Sequence, residues 1–236
     1  MKLFCFPHAG GFSNHYAFIK KADYDCIDSV YLYEYYGRNK IIDKNKPGSF
    51  KEFIEITADY VSSKLKDNED YVLFGHSMGA FVAYETALKL SSFNVKPNVV
   101  FLSGQRPPCT VEDGYYSSDP KVALPFLSKL GGMESLKNTD PAVQRFFMPI
   151  ILGDLKLLET YKPSVPDKSH LLGDCVLLHG DKDVELEGRN MKLWTKHFKN
   201  IRSDYVFDGG HFYLNNYKEQ ITTIINNETS RRKYDF

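Results

Sequence analysis

The run Gly75-His76-Ser77-Met78-Gly79 places a serine between two glycines in a sequence of 236 residues. The apolar run Tyr71-Val72-Leu73-Phe74 leads directly into it, and a helical pattern starts at once afterwards. A strand, a sharp turn and a helix in that order present a serine hydroxyl at the tip of a strained turn. Backbone N–H groups at the start of the helix then point into the same space and can hold an oxyanion. The two glycines let neighbouring backbone pass closely. A serine hydroxyl is a poor nucleophile until a base removes its proton, so a histidine and an acid to orient it are required.

Several histidines compete for the role of base. His76 adjoins the serine on a sharp turn and reads as a packing residue. His8 stands in a glycine-rich loop after the first apolar run, His179 closes a later one, and His170 and His197 lie in or beside helical patterns. His211, in Gly209-Gly210-His211, follows the last strand-like run and precedes the last helical one. It fits the chain order Ser, Asp or Glu, His. The acid belongs after the penultimate strand, where Gly180-Asp181-Lys182-Asp183 offers two aspartates. The Gly-x-x-Asp spacing, which resembles that of this loop in many α/β-hydrolases, favours Asp183, with Asp181 as the alternative. Asp183 would fix the imidazole tautomer and stabilise the imidazolium. The N–H of Met78 and that of Ala9, in Phe6-Pro7-His8-Ala9-Gly10-Gly11, are the expected oxyanion donors. An aspartate pair near His179 could suggest a metal, but no further ligands stand at a recognisable spacing.

These groups need a rigid frame. Residues 2–6, 29–34, 71–74, 98–103, 174–179 and 204–207 read as strands. Residues 49–66, 79–90, 186–198 and 213–226 read as helices. Strands alternating with helices predict an α/β architecture, a mainly parallel sheet covered on both faces. With the serine turn this is the α/β-hydrolase fold. Residues from about 107 to 166 break the rhythm with several prolines, Gly131-Gly132 and two apolar helical patterns. They are expected to form a helical lid inserted into a single domain spanning 1–236. Phe147, Ile150, Ile151, Leu155 and Leu158 make an apolar stripe with Asp154 on the same face. An aspartate there is expected to bind a neighbouring backbone group. Phe126, Leu127 and Leu130 either line the lid's opening or pack. Residues 227–236 read as a frayed tail.

Bulk properties narrow the function classes. Thirty basic residues balance thirty acidic ones, without the basic excess of a nucleic-acid binder. No apolar run is long enough to span a bilayer or to form the core of a signal peptide. Cys5, Cys26, Cys109 and Cys175 show neither close pairing nor metal-ligand spacing. Free thiols and a cytoplasmic location are expected. No coiled-coil pattern appears, and a monomer is the default expectation.

The motifs together resemble those of type II thioesterases, the stand-alone editing enzymes of nonribosomal peptide and polyketide synthesis. The resemblance rests on Phe6-Pro7-His8-Ala9-Gly10-Gly11, Gly75-His76-Ser77-Met78-Gly79-Ala80 and Gly209-Gly210-His211-Phe212-Tyr213-Leu214. Ser103-Gly104-Gln105-Arg106-Pro107-Pro108 and Asp154-Leu155-Lys156-Leu157-Leu158-Glu159-Thr160-Tyr161 add to it. Two positions depart: Val184 stands where the family usually has proline, and Tyr36 precedes Gly37-Arg38 where the family usually has Pro-Gly-Arg. The resemblance implies hydrolysis of acyl groups held as thioesters on the phosphopantetheine arm of an acyl or peptidyl carrier protein, by way of an acyl-serine. It implies no metal or redox cofactor, the phosphopantetheine belonging to the substrate. A carboxylesterase or peptidase acting on small free substrates would need the same triad. A non-catalytic binding protein on the same scaffold would not need it.

Overall fold

The computed structural model describes residues 1–38, 46–131, 140–164, 166 and 171–231. Six strands form one sheet in the order β2-β1-β3-β4-β5-β6, and every neighbouring pair is parallel. They are β1 (Lys2–Phe6), β2 (Ser29–Leu32), β3 (Tyr71–His76), β4 (Val99–Ser103), β5 (Leu172–Gly180) and β6 (Phe198–Phe207). The central strands β3 and β4 are buried at every residue. Their near-continuous apolar runs suit a strand covered on both faces. The outer strand β6 is buried only at Phe198 and is half-buried or exposed along the rest of its length.

Helices cover the sheet on both sides. In chain order they are α1 (Ala17–Lys21), α2 (Phe50–Lys64), α3 (Met78–Ser91), α4 (Pro120–Lys129), α5 (Pro141–Glu159) and α6 (Lys218–Ser230). Helix α2 buries Phe50, Phe53, Ile54, Ala58 and Val61 on one face. Its N-cap is Ser49, whose hydroxyl accepts from the Glu52 N–H at 3.2 Å, and the Glu52 carboxylate accepts from the Gly48 N–H at 2.7 Å. Such caps satisfy N–H groups that have no partner within the helix. Helix α3 is buried nearly all round, as a central helix must be.

Close packing of α3 on the sheet depends on two glycines. A Cβ at Gly79 would overlap the Phe6 carbonyl, and one at Gly75 would overlap the Gly79 carbonyl. The strand, the turn and the helix can therefore nest only with hydrogen at both positions.

Chain topology decides where a site can form. The chain passes from β1 outward to β2, then returns across β1 to β3. The loops leaving β1 and β3 thus diverge at their C-terminal ends, which is where open α/β sheets bind ligands.

Several expectations need correction: β6 begins at Phe198 rather than at residue 204, and the last helix begins at Lys218 after a 3-10 turn at Tyr213–Asn215 rather than at residue 213. Residues 186–198 do not form a full helix; only Met191–Lys196 coils, as a 3-10 segment. Gly188 there has φ +67°, and Asn190 caps the short segment from outside the helical region. The second strand ends at Leu32, not at residue 34. The tail is not frayed from residue 227: α6 runs to Ser230 and buries Glu228 completely. The Glu228 carboxylate accepts from Ser203 Oγ at 2.7 Å and Tyr205 Oη at 2.8 Å, both on β6. Residues 232–236 of that tail, and His170, lie outside the described residues.

Candidate active site

Ser77 sits between β3 and α3 with φ 56° and ψ −125°. Such a conformation strains any residue with a Cβ, by about 1–3 kcal/mol. The turn is fixed by the Ser77 N–H, which donates to the Ser103 carbonyl at 2.8 Å, and by the Ala80 N–H, which donates to the Ser77 carbonyl at 2.8 Å. As first residue of α3, Met78 has an N–H with no acceptor inside the helix.

Asp183 and His211 come from the loops after β5 and β6. The two loops are zipped together by the Asp181 N–H donating to the Phe207 carbonyl and the Lys182 N–H donating to the Gly209 carbonyl, both at 2.9 Å. His211 Nδ1 lies 3.0 Å and 2.9 Å from the two Asp183 carboxylate oxygens, and both side chains are buried. His211 Nε2 is buried and makes no hydrogen bond among the described residues. His211 and Ser77 line one small cavity of about 30 Å³. Hydrogen bonds between nucleophile and base are often long in an unliganded enzyme and tighten when substrate binds.

Asp181 is used differently. It accepts from the Gly209 N–H at 2.9 Å and does not meet the imidazole. His179 pairs with Asp204 at 3.0 Å.

Ala9 lies across the same cavity from the lid helices, with His8, Met78 and Phe212. Phe126, Leu127 and Leu130 on and after α4, and Leu155 and Leu158 on α5, supply its apolar wall. Residues of α4 and α5 therefore share this space with Ser77, and Phe126 also packs edge-on against Tyr115 and Tyr116. Larger depressions lie along β2 (about 540 Å³) and behind the 181–191 loop (about 440 Å³); Ser77 lines neither.

Two further histidines pack round the base. The His76 ring lies 5.0 Å from that of His211, and His8 lies 6.0 Å from His76. His76 Nδ1 bonds with Ser103 Oγ at 2.9 Å, and that hydroxyl with Tyr213 Oη at 2.6 Å. Desolvation, with His211 and His8 adding to it, holds the His76 pKa well below the usual histidine range. Desolvation, aided by His15, His211 and Arg38, lowers that of His8 to about 3. Both rings are neutral at pH 7, and neither touches Asp183 through a hydrogen bond. They pack around His211 and leave the acid to it.

Sequence reading missed a buried network behind Asp183. The Glu185 N–H donates to Asp183 Oδ1 at 3.0 Å. The Glu185 carboxylate accepts from Arg106 Nε at 2.8 Å, Tyr115 Oη at 2.9 Å and Tyr116 Oη at 3.0 Å. Arg106 also donates to the Glu185 carbonyl at 2.9 Å. Glu185 carried no signal of its own, because an isolated glutamate in a loop reads as solvated surface. Only its burial, at 2% exposure, reveals the role.

The expected backbone partner of Asp154 is the Gly10 N–H, which donates to Asp154 Oδ2 at 2.7 Å. The structure adds Arg38, whose guanidinium pairs with both Asp154 oxygens. Burial raises the Asp154 pKa, while Arg38 and the Gly10 N–H pull against that shift.

Comparison with known proteins adds to this geometry. Residues 1–229 match the family model of the thioesterase domain. The chain belongs to the thioesterase family. This thioesterase-family chain is 29% identical over 228 residues to a probable cadicidin biosynthesis thioesterase of Streptomyces griseus, covering 95% of the chain and 61% of that relative. It thus spans under two thirds of that relative's length. It is 27% identical to thioesterase PikA5 of Streptomyces venezuelae, covering 95% and 79% of the two chains. Among solved structures, ClbQ from the colibactin NRPS/PKS pathway superposes with a TM-score of 0.85 at 24% identity, over 98% of this chain and 97% of that one. The α/β-hydrolase fold follows from that likeness and from the parallel sheet.

Proposed function

We propose that this chain is a serine thioesterase that hydrolyses acyl groups from the phosphopantetheine thiol of carrier proteins, clearing stalled or misprimed groups in nonribosomal peptide or polyketide synthesis. One observation carries the catalytic reading: buried His211 is held by Asp183 on the wall of the cavity that Ser77 lines. Family membership and the biosynthetic pathways of the relatives support the substrate class.

In this mechanism Ser77 Oγ attacks the thioester carbonyl carbon and passes its proton to His211 Nε2. The carbonyl oxygen becomes an oxyanion that accepts from the N–H groups of Met78 and Ala9; losing one such donor costs about 3 kcal/mol of transition-state stabilisation. The C–S bond breaks, the pantetheine sulfur takes the proton from His211, and an acyl-serine remains. Water then gives a proton to His211 and attacks the acyl carbon; the bond from that carbon to Ser77 Oγ breaks, His211 returns the proton to Oγ, and the acid leaves. Asp183 orients the imidazole and stabilises the imidazolium that forms. Apart from the attacking water, every group used belongs to the chain or the substrate.

Among the described residues no helix is long and apolar enough to cross a membrane. All four cysteines are free, which suits the cytoplasm.

The test compares an acyl-loaded carrier protein, an acyl-coenzyme A and a simple aryl ester, each with wild type and Ser77→Ala. Rapid deacylation of the carrier, lost in Ser77→Ala, is expected. Ester turnover with the acyl-carrier left intact would overturn the reading.

A further inference from the structure

Besides Tyr16 Oη, which accepts from the His8 N–H at 3.2 Å, three groups from outside the loop hold the backbone around Ala9. Tyr35 Oη donates to the Pro7 carbonyl at 2.7 Å. Asp154 Oδ2 accepts from the Gly10 N–H at 2.7 Å. Arg38 Nε donates to the Gly11 carbonyl at 2.7 Å. Arg38 and Asp154 also pair with each other, and both are almost fully buried. Arg38 further donates to the Tyr36 carbonyl at 3.0 Å, and its guanidinium lies 5.3 Å from the Tyr35 ring centroid.

These contacts join three parts of the chain. Tyr35, Tyr36 and Arg38 follow β2, Asp154 is on the inserted helix α5, and residues 7–11 form the loop after β1. Gly10 has φ +77°, and a Cβ there would overlap Ile151 on α5. The loop therefore lies directly against α5. A charged pair this deeply buried is a weak device for stability alone, since desolvation offsets much of its attraction. A site whose donors must be preorganised to fractions of an ångström is where such a pair has a use.

We propose that Arg38 and Asp154 are positioning residues for the oxyanion-binding loop: they fix the direction of the Ala9 N–H and make the seating of α5 a condition for stabilising the tetrahedral intermediate. The inference rests on the serine thioesterase reading given above. The carboxylate occupies the Gly10 N–H, and the guanidinium holds the Gly11 carbonyl. The loop cannot rotate without breaking both bonds. Movement of α5 away from the sheet would withdraw Asp154 and release the loop at the same time. Chain entry beneath the lid and readiness of the site for reaction are thereby coupled.

The experiment uses the full chain with octanoyl-coenzyme A as substrate and two octanoyl inhibitors. One is a trifluoromethyl ketone, which forms a tetrahedral adduct with Ser77. The other is an unreactive thioether of the same length, which reports ground-state binding. For Asp154→Ala, kcat is expected to fall about 10–100-fold and the ketone to bind weaker by a similar factor, somewhat less than the loss of a whole oxyanion donor. KM and thioether affinity should stay within about threefold, because uniform binding is untouched. Asp154→Asn has the same shape and serves if the alanine variant does not fold, as judged by near-ultraviolet circular dichroism. Arg38→Lys should recover part of the activity lost in Arg38→Met. A folded Asp154 variant with unchanged kcat and ketone affinity would overturn the proposal. So would equal weakening of ketone and thioether, which would make the pair a mere wall of the acyl pocket. Wild type that hydrolyses no thioester would instead overturn the underlying reading, and this inference with it.

Discussion

His211 Nδ1 lies 2.9 Å from Asp183 Oδ2, while Asp181, two residues earlier, accepts from the Gly209 N–H instead. The loop after β5 turns between the two aspartates, so one faces the imidazole and the other stitches the neighbouring loop. Asp183→Asn is expected to cut kcat by about 10³–10⁴-fold, because an amide cannot hold the correct tautomer or stabilise an imidazolium. Asp181→Asn keeps an acceptor for Gly209 and should retain most activity. Steady-state thioester hydrolysis by the two variants checks this; the reverse order would reassign the acid.

Ser77 combines a positive φ with a side chain. Its strain of about 1–3 kcal/mol exceeds the roughly 0.5–1 kcal/mol of extra chain entropy that a glycine brings. Ser77→Gly should therefore raise the unfolding free energy, by about 1 kcal/mol on these terms, while abolishing hydrolysis. Urea denaturation measures the first effect. A destabilised Ser77→Gly would show that the turn stores no strain.

The Arg106–Glu185 pair is buried on both sides. Arg106→Met would leave the Glu185 carboxylate with only Tyr115 and Tyr116 and is expected to cost about 3–5 kcal/mol. Replacing both residues with methionine should cost less than the arginine substitution alone, since no buried charge is then stranded. Denaturation of the single and double variants distinguishes the outcomes. Additive losses would mean that the two residues stabilise the fold independently.

His197 is buried beside Tyr84 and Trp194, and its Nδ1 bonds with Tyr84 Oη at 2.7 Å. Desolvation, with Lys196 second, lowers its pKa to about 4. In the unfolded chain a histidine titrates at about 6.5. Between these values the unfolded state binds a proton that the folded state refuses. The stability is full above the unfolded pKa and is lost as pH falls through about 4. His197→Gln should therefore flatten the decline of Tm from pH 6.5 toward 4. Asp154 and Glu85, raised by burial, act with the opposite sign, and His8 and His76 with the same sign. All four remain in the variant, so the difference between the two curves isolates His197. Parallel curves would show that His197 is protonated in the folded protein.

Much of this molecule is legible in the sequence because its information is local. The apolar runs of β3 and β4 and the amphipathic face of α2 each follow from neighbours within a few residues, as does Gly75, which packs on the Gly79 carbonyl. Chain order then points to Ser77, Asp183, His211 and the N–H groups of Met78 and Ala9. Local pattern failed at residues 186–198, where the helical spacing of apolar residues outweighed Gly188 in the reading but not in the chain. It failed again at the C-terminus, where polar residues suggested a free tail and β6 supplied partners for Glu228.

Pairing across long stretches of chain was decided only by the tertiary structure. Asp154 and Arg38 stand 116 residues apart, and Arg106 and Glu185 stand 79 apart. Each charge alone reads as solvated surface, because a buried charge is stable only beside a partner that the sequence does not name. The sequence by itself pointed to the groups proposed to carry the chemistry, since their types and local turns single them out. The folded chain decided which backbone and charges hold those groups in place, because burial and partnership are properties of distance in space.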